Sequence, residues 1–274
     1  MTDKKIKDNT EKKSFWDHLE DMRGMLLRSV LVICALTIIA FVLKKFLFDN
    51  IILPPKESSF ITNRVLCEIG KLISIDSLCL ASKTLNIINI NLPGQFVMHV
   101  YISFMIALIF AAPYIIWEIW RFIKPALYNY EQKKIKGGIL FCIILFFTGV
   151  LFSYFIIVPL TINFFTSYSL SETIKNQITL NSYVNTLFSV TITTGALFEL
   201  PLFVFILTKL GLITPSFLKK NRKYALVIVL IIAAIITPPD VFSQILVSLP
   251  LLVLYEITIM ASKRAISTNN KLQG

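Results

Sequence analysis

The chain has 274 residues, of which 55% are hydrophobic and only 16% are charged. This composition excludes an ordinary soluble domain and indicates a polytopic membrane protein built from apolar helices. The net charge of +11 is high, but the basic residues gather beside apolar stretches, so a nucleic-acid-binding protein is not indicated.

Apolar stretches along the chain predict one domain, 1–274, folded as an all-α bundle of six transmembrane helices. A helix needs about 20 residues to cross a hydrocarbon core of about 30 Å. The fifth stretch is shorter than that, which predicts a thinned bilayer or polar helix ends held within it. Single prolines in four stretches predict bent helices and a cupped bundle. The predicted spans are 26–43, 96–120, 138–165, 183–207, 224–236 and 241–260, and the prolines are Pro113, Pro159, Pro201 and Pro250.

The connections between the predicted spans alternate in their content of Lys and Arg. Seven such residues precede position 29, five lie in 121–136 and five in 209–223, whereas 166–182 contains one. Basic residues are enriched on the cytoplasmic side of a membrane, so the pattern predicts that both termini are cytoplasmic. The polar segment 1–13 is predicted to be a disordered cytoplasmic tail, and 262–274 a second cytoplasmic tail.

The long connection 47–94 is predicted to lie outside, and it carries Cys67 and Cys79. A disulfide between these two cysteines would close a short loop within the connection, and it would contribute about 2 to 4 kcal/mol to stability in an oxidising compartment. Two free thiols are the alternative, because spacing alone does not establish a bond. His18 and His99 stand apart from the cysteines and from each other, so no metal site is predicted.

Sequence motifs of common enzymes are missing. The chain has no GxxxxGK[ST] run, no GxSxG elbow and no HExxH helix. An intramembrane protease needs a Ser and a His, two Asp or a metal at membrane depth, and no such set stands out in the apolar stretches. We therefore expect no enzymatic activity, no catalytic residue and no cofactor.

Glu199 lies inside an apolar stretch, two residues before Pro201. A charge at mid-bilayer depth costs roughly 2.5 to 3.5 kcal/mol on insertion scales, so the position predicts a contact with a partner, an ion or a substrate. A protonated carboxyl packed among helices is the alternative. Because proline removes a backbone hydrogen bond, we expect Pro201 to loosen the helix around this carboxyl.

Carboxylates also persist on the predicted cytoplasmic side, where Lys and Arg dominate. Glu20 and Asp21 lie in an amphipathic helical lead-in to the first span, and Glu131 follows the second span. Such groups are suitable bidentate acceptors for guanidinium groups, which favours the binding of arginine over lysine. The alternative is that they form solvated ion pairs with basic neighbours such as Arg23 and Lys134.

Four segments, in order, resemble the TatC family, the multispanning receptor subunit of the twin-arginine protein translocase. Residues 18–23 are similar to the family's His-Leu-x-Glu-Leu-Arg motif, and 120–131 to its Trp-x-Phe-x-x-Pro-x-Leu-Tyr-x-x-Glu segment. Residues 194–201 resemble the fourth-span Phe-Glu-x-Pro region, and 237–244 the turn between the last two spans. Asp21 departs from the first motif, where the family usually has Glu.

The resemblance implies a receptor in the bacterial cytoplasmic (inner) membrane that binds the Arg-Arg signal peptides of folded proteins. It also implies assembly with TatA- and TatB-type single-span proteins, contact with membrane lipid, self-association, and export driven by the proton-motive force. The matching positions imply a signal-peptide site at Glu20, Asp21, Arg23, Phe122 and Glu131. They imply partner contacts or intramembrane polarity at Glu199, Thr237, Asp240 and Gln244.

An alternative function is a proton-coupled secondary transporter of a small solute, in which Glu199 carries the coupling proton. Six spans and one buried carboxylate permit it. The two halves of the sequence show no convincing internal repeat, and no paired broken helices that would build a central site. The receptor is therefore favoured.

Overall fold

The structure is a computed structural model that describes residues 15–57, 59–73, 86–123, 135–168, 170–171, 176–209, 211–236 and 241–270. Within these ranges the chain is mostly helical, and the long helices follow the apolar stretches of the sequence. Among the described residues, five helical stretches are long and apolar enough to cross a membrane, and two of them contain a short interruption. The predicted class, a polytopic helical membrane protein, is confirmed, whereas the count of six spans stays a prediction.

The first helix, α1, is continuous from Phe15 to Val42, so it joins the amphipathic lead-in to the first span. Short helical segments follow it in the predicted external connection. They are α2 (Lys44–Leu47), a π-helical turn (Phe48–Ile52), a 3-10 turn (Pro54–Lys56) and α3 (Ile61–Ile73). Over these residues the connection is folded, with α3 as its longest helix.

Helix α4 covers Gly94–Ile123 and contains Pro113 without an interruption. Helix α1 packs along α4, and this is its main contact in the described part of the chain. Only 11% of the most apolar part of α1 is buried, and large side chains such as Leu31 and Ile38 are exposed. An exposed apolar surface of this size indicates that α1 lies at the edge of the bundle, facing lipid.

The third span is built from α5, a π-helical turn and α6, which cover Ile135–Phe152, Ser153–Ile157 and Val158–Ser167. Pro159 has no N–H to donate to the carbonyl of Phe155, four residues earlier. The hydroxyl of Thr62 in α3 donates to that carbonyl instead. The predicted external connection is thus fastened to the third span beside its proline.

The fourth span is divided at Glu199 into α7 and α8, which cover Leu180–Phe198 and Leu200–Lys209. Pro201 cannot donate to the carbonyl of Leu197. The Glu199 N–H bonds to the Ala196 carbonyl at 3.1 Å, in a tighter turn that ends α7. The interruption lies where the sequence predicted loosened backbone.

The last part of the chain contains α9, α10 and α11, which cover Pro215–Lys220, Arg222–Ile236 and Val241–Asn270. Helix α10 has 15 residues, which gives about 22 Å at 1.5 Å per residue, less than a hydrocarbon core of about 30 Å. The predicted short fifth stretch is therefore a short helix. Helix α11 contains Pro250 and continues beyond position 262, where the sequence predicted a tail.

Two glycines allow α5 and α7 to approach closely. A Cβ on Gly149 would lie 2.7 Å from Cγ of Phe198, and a Cβ on Gly195 would lie 3.0 Å from Cγ2 of Val150. Small residues permit such contact between membrane helices. The main apolar core lies among α4, α6, α7 and α11, and it includes Ile102, Val158, Val184, Leu187 and Val247.

Two short strands join the connections that precede α4 and α7. Strand β1 (Ile87–Ile88) pairs in parallel with β2 (Ile178–Thr179), with Ile87 opposite Ile178. We call this end of the bundle the strand end. The opposite end, where α1 begins and α4 and α8 end, is called the basic end because the Lys-rich connections of the sequence adjoin it.

Candidate functional site

Four of the residues implied in signal-peptide binding lie at the basic end of the α1 and α4 pair. Glu20, Asp21 and Arg23 are exposed near the start of α1, and Phe122 is half-buried in the last turn of α4. Because α1 packs along α4, the structure brings these side chains to one end of the same helix pair. Glu131 lies outside the described residues.

A polar cluster lies deeper between the same two helices. Nε and Nη2 of Arg28 donate to the two carboxylate oxygens of Glu118, at 3.0 and 2.9 Å. The hydroxyl of Tyr114 donates to Oε1 of Glu118 at 3.0 Å, and Nη1 of Arg121 lies 3.7 Å from the same oxygen. The Glu118 side chain is 1% exposed. We call these four residues the Glu118 cluster, and within it the carboxylate is compensated by this chain's own donors.

Local sequence explains why the cluster forms. Helical side chains point toward the start of their helix, and Arg28 accordingly passes over Gly24, where a Cβ would lie 3.3 Å from Nη1. The polar members on α4 are spaced by four and three residues, which places them on one face. Arg121 also lies 5.8 Å from the ring centre of Trp117. No motif singled out Glu118, although an isolated carboxylate in an apolar stretch is itself a signal.

Glu199 has the opposite surroundings. Its side chain is buried, and neither carboxyl oxygen has a hydrogen-bond partner in the described part of the chain. The thiol of Cys142 is a polar neighbour of this carboxyl, but the two groups do not form a hydrogen bond of normal geometry. The indole Nε1 of Trp120, which packs on Cys142, is also buried without a partner there. The cost of burying this carboxyl is therefore not offset by the described side chains.

Two further polar contacts join α10 and α11. The amide of Gln244 donates to the carbonyl of Leu230 at 3.2 Å. Arg222 and Glu256 form an ion pair at 2.9 Å, with each side chain about half exposed. Gln244 is thus engaged within the bundle. Thr237 and Asp240, which the sequence assigns to the same region, lie outside the described residues.

The candidate disulfide falls partly within the structure. Cys67, in α3, is disulfide-bonded. Cys79 lies outside the described residues, so its pairing with Cys67 stays a prediction.

His99 has a structural role near the strand end. Its Nε2 contacts the carbonyl of Phe41 at 3.0 Å, and the two rings stack with their centres 4.0 Å apart. This contact fastens the end of α1 to the start of α4.

Known proteins identify the family of this bundle. The family model described as Sec-independent protein translocase protein (TatC) matches residues 17–250. The chain belongs to the TatC family. A Sec-independent protein translocase protein TatC of Blattabacterium sp. subsp. Periplaneta americana is 39% identical over 259 residues, which cover 94% of this chain and 97% of the relative. The TatC of Desulforapulum autotrophicum is 32% identical over 253 residues, covering 92% and 85%.

Two solved structures share the fold of this TatC-family chain. A crystal structure of the twin-arginine translocase receptor TatC has a TM-score of 0.64 at 30% identity, and the match covers 91% of this chain and 99% of that one. A second crystal structure of the receptor, in DDM, has a TM-score of 0.65 at 31% identity, covering 89% and 99%. The family indicated by the four sequence motifs is confirmed.

Proposed function

We propose that this translocase subunit is the receptor that binds the Arg-Arg signal peptides of folded cargo proteins. With TatA- and TatB-type single-span partners, it exports that cargo across the bacterial inner membrane by using the proton-motive force. The observation that carries the proposal is the pair of exposed carboxylates, Glu20 and Asp21, on a helix packed against the one that carries Phe122.

The chemistry of these groups suits an arginine pair. A carboxylate accepts two parallel hydrogen bonds from a guanidinium, a geometry that lysine does not offer. Phe122 adds a half-buried aromatic surface at the end of α4. We assign Glu131 to the same site as a further acceptor. We assign Arg23 as the cation that offsets part of the negative charge of the site. A charge-assisted contact contributes about 1.5 to 3 kcal/mol where it is partly desolvated, and far less where it is exposed.

The basic end of the bundle is the cytoplasmic side in this proposal, and both termini lie there. The Lys and Arg content of the connections supports this orientation. Signal peptides of cargo made in the cytoplasm then arrive at the end that carries Glu20 and Asp21. The strand end, with β1 and β2, faces the outside.

We assign Glu199 to partner association or to the late steps of transport. The support is its burial without a hydrogen-bond partner in the described residues. Thr237, Asp240 and Gln244 supply polar contacts for partners, for further copies of this chain, or for local polarity. Polar contacts between membrane helices contribute roughly 0.6 to 2 kcal/mol, which suits reversible docking.

The outer connection is proposed to be closed by a bond between Cys67 and Cys79. The disulfide at Cys67 supports this proposal. Mass spectrometry of the protein, after its free thiols have been alkylated, tests this pairing. Alkylation of Cys79 without prior reduction contradicts it.

Peptide binding tests the receptor function. Asp21→Asn and Glu131→Gln each remove an acceptor charge and keep the side-chain size, and we expect about tenfold weaker binding of an Arg-Arg peptide. Asp49→Asn is the matched control, since this exposed carboxylate lies in the π-helical turn near the strand end. Photo-crosslinking of the peptide to the full-length protein in membrane vesicles gives the readout, with a Lys-Lys peptide for comparison.

Two results contradict this function. One is equal binding of the Arg-Arg and Lys-Lys peptides by the wild-type protein. The other is unchanged crosslinking in both acceptor variants at normal protein levels. Solute transport, the alternative weighed from the sequence, is not favoured by membership of a protein translocase family.

A further inference from the structure

The Glu118 cluster lies between the helices that carry the proposed recognition residues, yet its carboxylate is already bound by this chain. We propose that Glu118 is a positioning residue for signal-peptide recognition. Its ion pair with Arg28 sets the distance and rotation between the start of α1, which carries Asp21, and the last turn of α4, which carries Phe122. The inference rests on the proposed function of that site.

The packing of α1 makes this link important. Helix α1 lies at the edge of the bundle and packs mainly on α4. Side-chain contacts fasten the two helices near both ends, His99 with Phe41 at the strand end and Arg28 with Glu118 toward the basic end. Asp21 lies seven residues before Arg28, about 10 Å along the helix. Without the Glu118 link, α1 can roll about its strand-end contact, and the Asp21 end moves farthest.

Charge gives Glu118 a second effect on the same site. Arg28 and Asp21 both belong to α1. They are about two turns apart, so they lie on roughly the same face of the helix. While both oxygens of Glu118 hold the Arg28 guanidinium, that cation is directed at α4. The Arg28 side chain is 44% exposed in the ion pair. If Glu118 loses its charge, the guanidinium is free to extend along the helix toward Asp21, one of the carboxylates proposed to receive the arginines of the signal. Glu118 therefore also keeps the chain's own arginine from competing.

The arrangement requires arginine at position 28. A lysine cannot make two parallel bonds to one carboxylate. Arg28→Lys therefore weakens the link, while it leaves the Glu118 charge in place.

Binding of an Arg-Arg peptide to the full-length protein in membrane vesicles tests the inference. The peptide carries a photo-crosslinker beside its arginines, so that crosslinks to the start of α1 and to the end of α4 are counted separately. For Glu118→Gln we expect about tenfold weaker binding and a changed ratio of the two crosslinks. If the pair only stabilises the fold, breaking it lowers the unfolding temperature and leaves the affinity and the crosslink ratio of the folded protein unchanged.

A double variant and a matched control sharpen the result. In Arg28→Gln with Glu118→Gln the competing guanidinium is gone and two amides can bond to each other, so we expect binding to recover part of the loss. Glu256→Gln breaks another ion pair of 2.9 Å, between α10 and α11, and we expect wild-type binding. A loss in Glu256→Gln equal to that in Glu118→Gln contradicts a specific role for Glu118.

The outcomes separate this inference from the proposed function. If the wild-type protein does not prefer the Arg-Arg peptide to a Lys-Lys peptide, both fail. If it does prefer it, and Glu118→Gln binds with wild-type affinity and crosslink ratio, the inference is overturned while the receptor function stands. If Glu118→Gln does not fold, Arg28→Lys decides, since binding weakened by a few fold supports positioning and unchanged binding overturns it.

Discussion

Within the part of the chain that the structure describes, the carboxyl side chains of Glu118 and Glu199 are buried among the spans, and their surroundings differ completely. Glu118 accepts hydrogen bonds from Arg28 and Tyr114, and Arg121 lies beside it. Glu199 is 7% exposed, and neither of its oxygens has a hydrogen-bond partner in the described residues. The two side chains are buried to a similar extent. Hydrogen-bond donors of this chain offset the cost of burying Glu118, whereas no donor among the described residues does so for Glu199.

The comparison shows which information identifies a functional carboxyl in a membrane bundle. A buried charge with its own donors belongs to the internal structure, and its removal leaves those donors unpaired. A buried carboxyl without donors costs stability and is retained for a contact beyond its present neighbours. We therefore connect Glu118 with the arrangement of α1 and α4, and Glu199 with partners or later steps of transport.

The largest effect is expected on export when Glu199 is replaced. Glu199→Ala should insert normally and bind signal peptide, but lower the export of a folded reporter by more than about tenfold, because the contact made by the carboxyl is lost. Its unfolding temperature in detergent should equal or exceed that of the wild type, since an uncompensated polar group has been removed. Fractionation of cells that carry the reporter gives the export readout.

Glu199→Gln identifies what the carboxyl supplies. We expect a milder defect than in the Ala variant if hydrogen bonding is required, and an equal defect if ionisation is required. Intact export in Glu199→Ala, or a lower unfolding temperature of that variant, would make Glu199 an internal structural group and contradict the comparison.

A smaller effect, on stability, is expected when Glu118 is replaced by an apolar residue. Glu118→Leu should destabilise the protein by about 1 to 3 kcal/mol, because Arg28 and Arg121 keep their charges and lose their acceptor. The value is below that for a fully buried pair since Arg28 is partly exposed. Denaturation of the purified protein in detergent measures it, and unchanged stability would place Glu118 in the same class as Glu199.

The smallest effect is expected at the Arg222 and Glu256 pair. Both side chains are about half exposed, and exposed ion pairs contribute roughly 0 to 1 kcal/mol. Glu256→Gln should therefore shift the denaturation midpoint little. A loss as large as that of Glu118→Leu would show that burial does not separate the two pairs.

Much of the fold follows from the sequence because apolar runs of span length have few alternatives to helices in a bilayer. The short α10 follows from its short apolar stretch, and the interruption at Glu199 follows from Pro201. Cys67 is disulfide-bonded, and its pairing with Cys79 stays a prediction. These predictions depend on residues near one another in the chain.

The Glu118 cluster shows why the rest could not be predicted. Arg28 and Glu118 are 90 residues apart, and their contact depends on which helices are neighbours and how each is rotated. The apolar faces of α1 and α4 do not fix that rotation. The contact of Thr62 with the Phe155 carbonyl likewise depends on where α3 docks. For the site, the sequence supplied the residues on each helix, and the structure supplied the link between them.

The central claim is that the two buried carboxyls act at different stages, and a paired measurement tests it most directly. Binding of an Arg-Arg signal peptide and export of a folded reporter are measured side by side for Glu118→Gln and Glu199→Gln, at matched protein levels. We predict that Glu118→Gln weakens peptide binding, with export falling as a consequence. Glu199→Gln should bind peptide as the wild type does and be impaired in export. Equal loss of peptide binding in both variants, or normal binding in Glu118→Gln, would contradict the account.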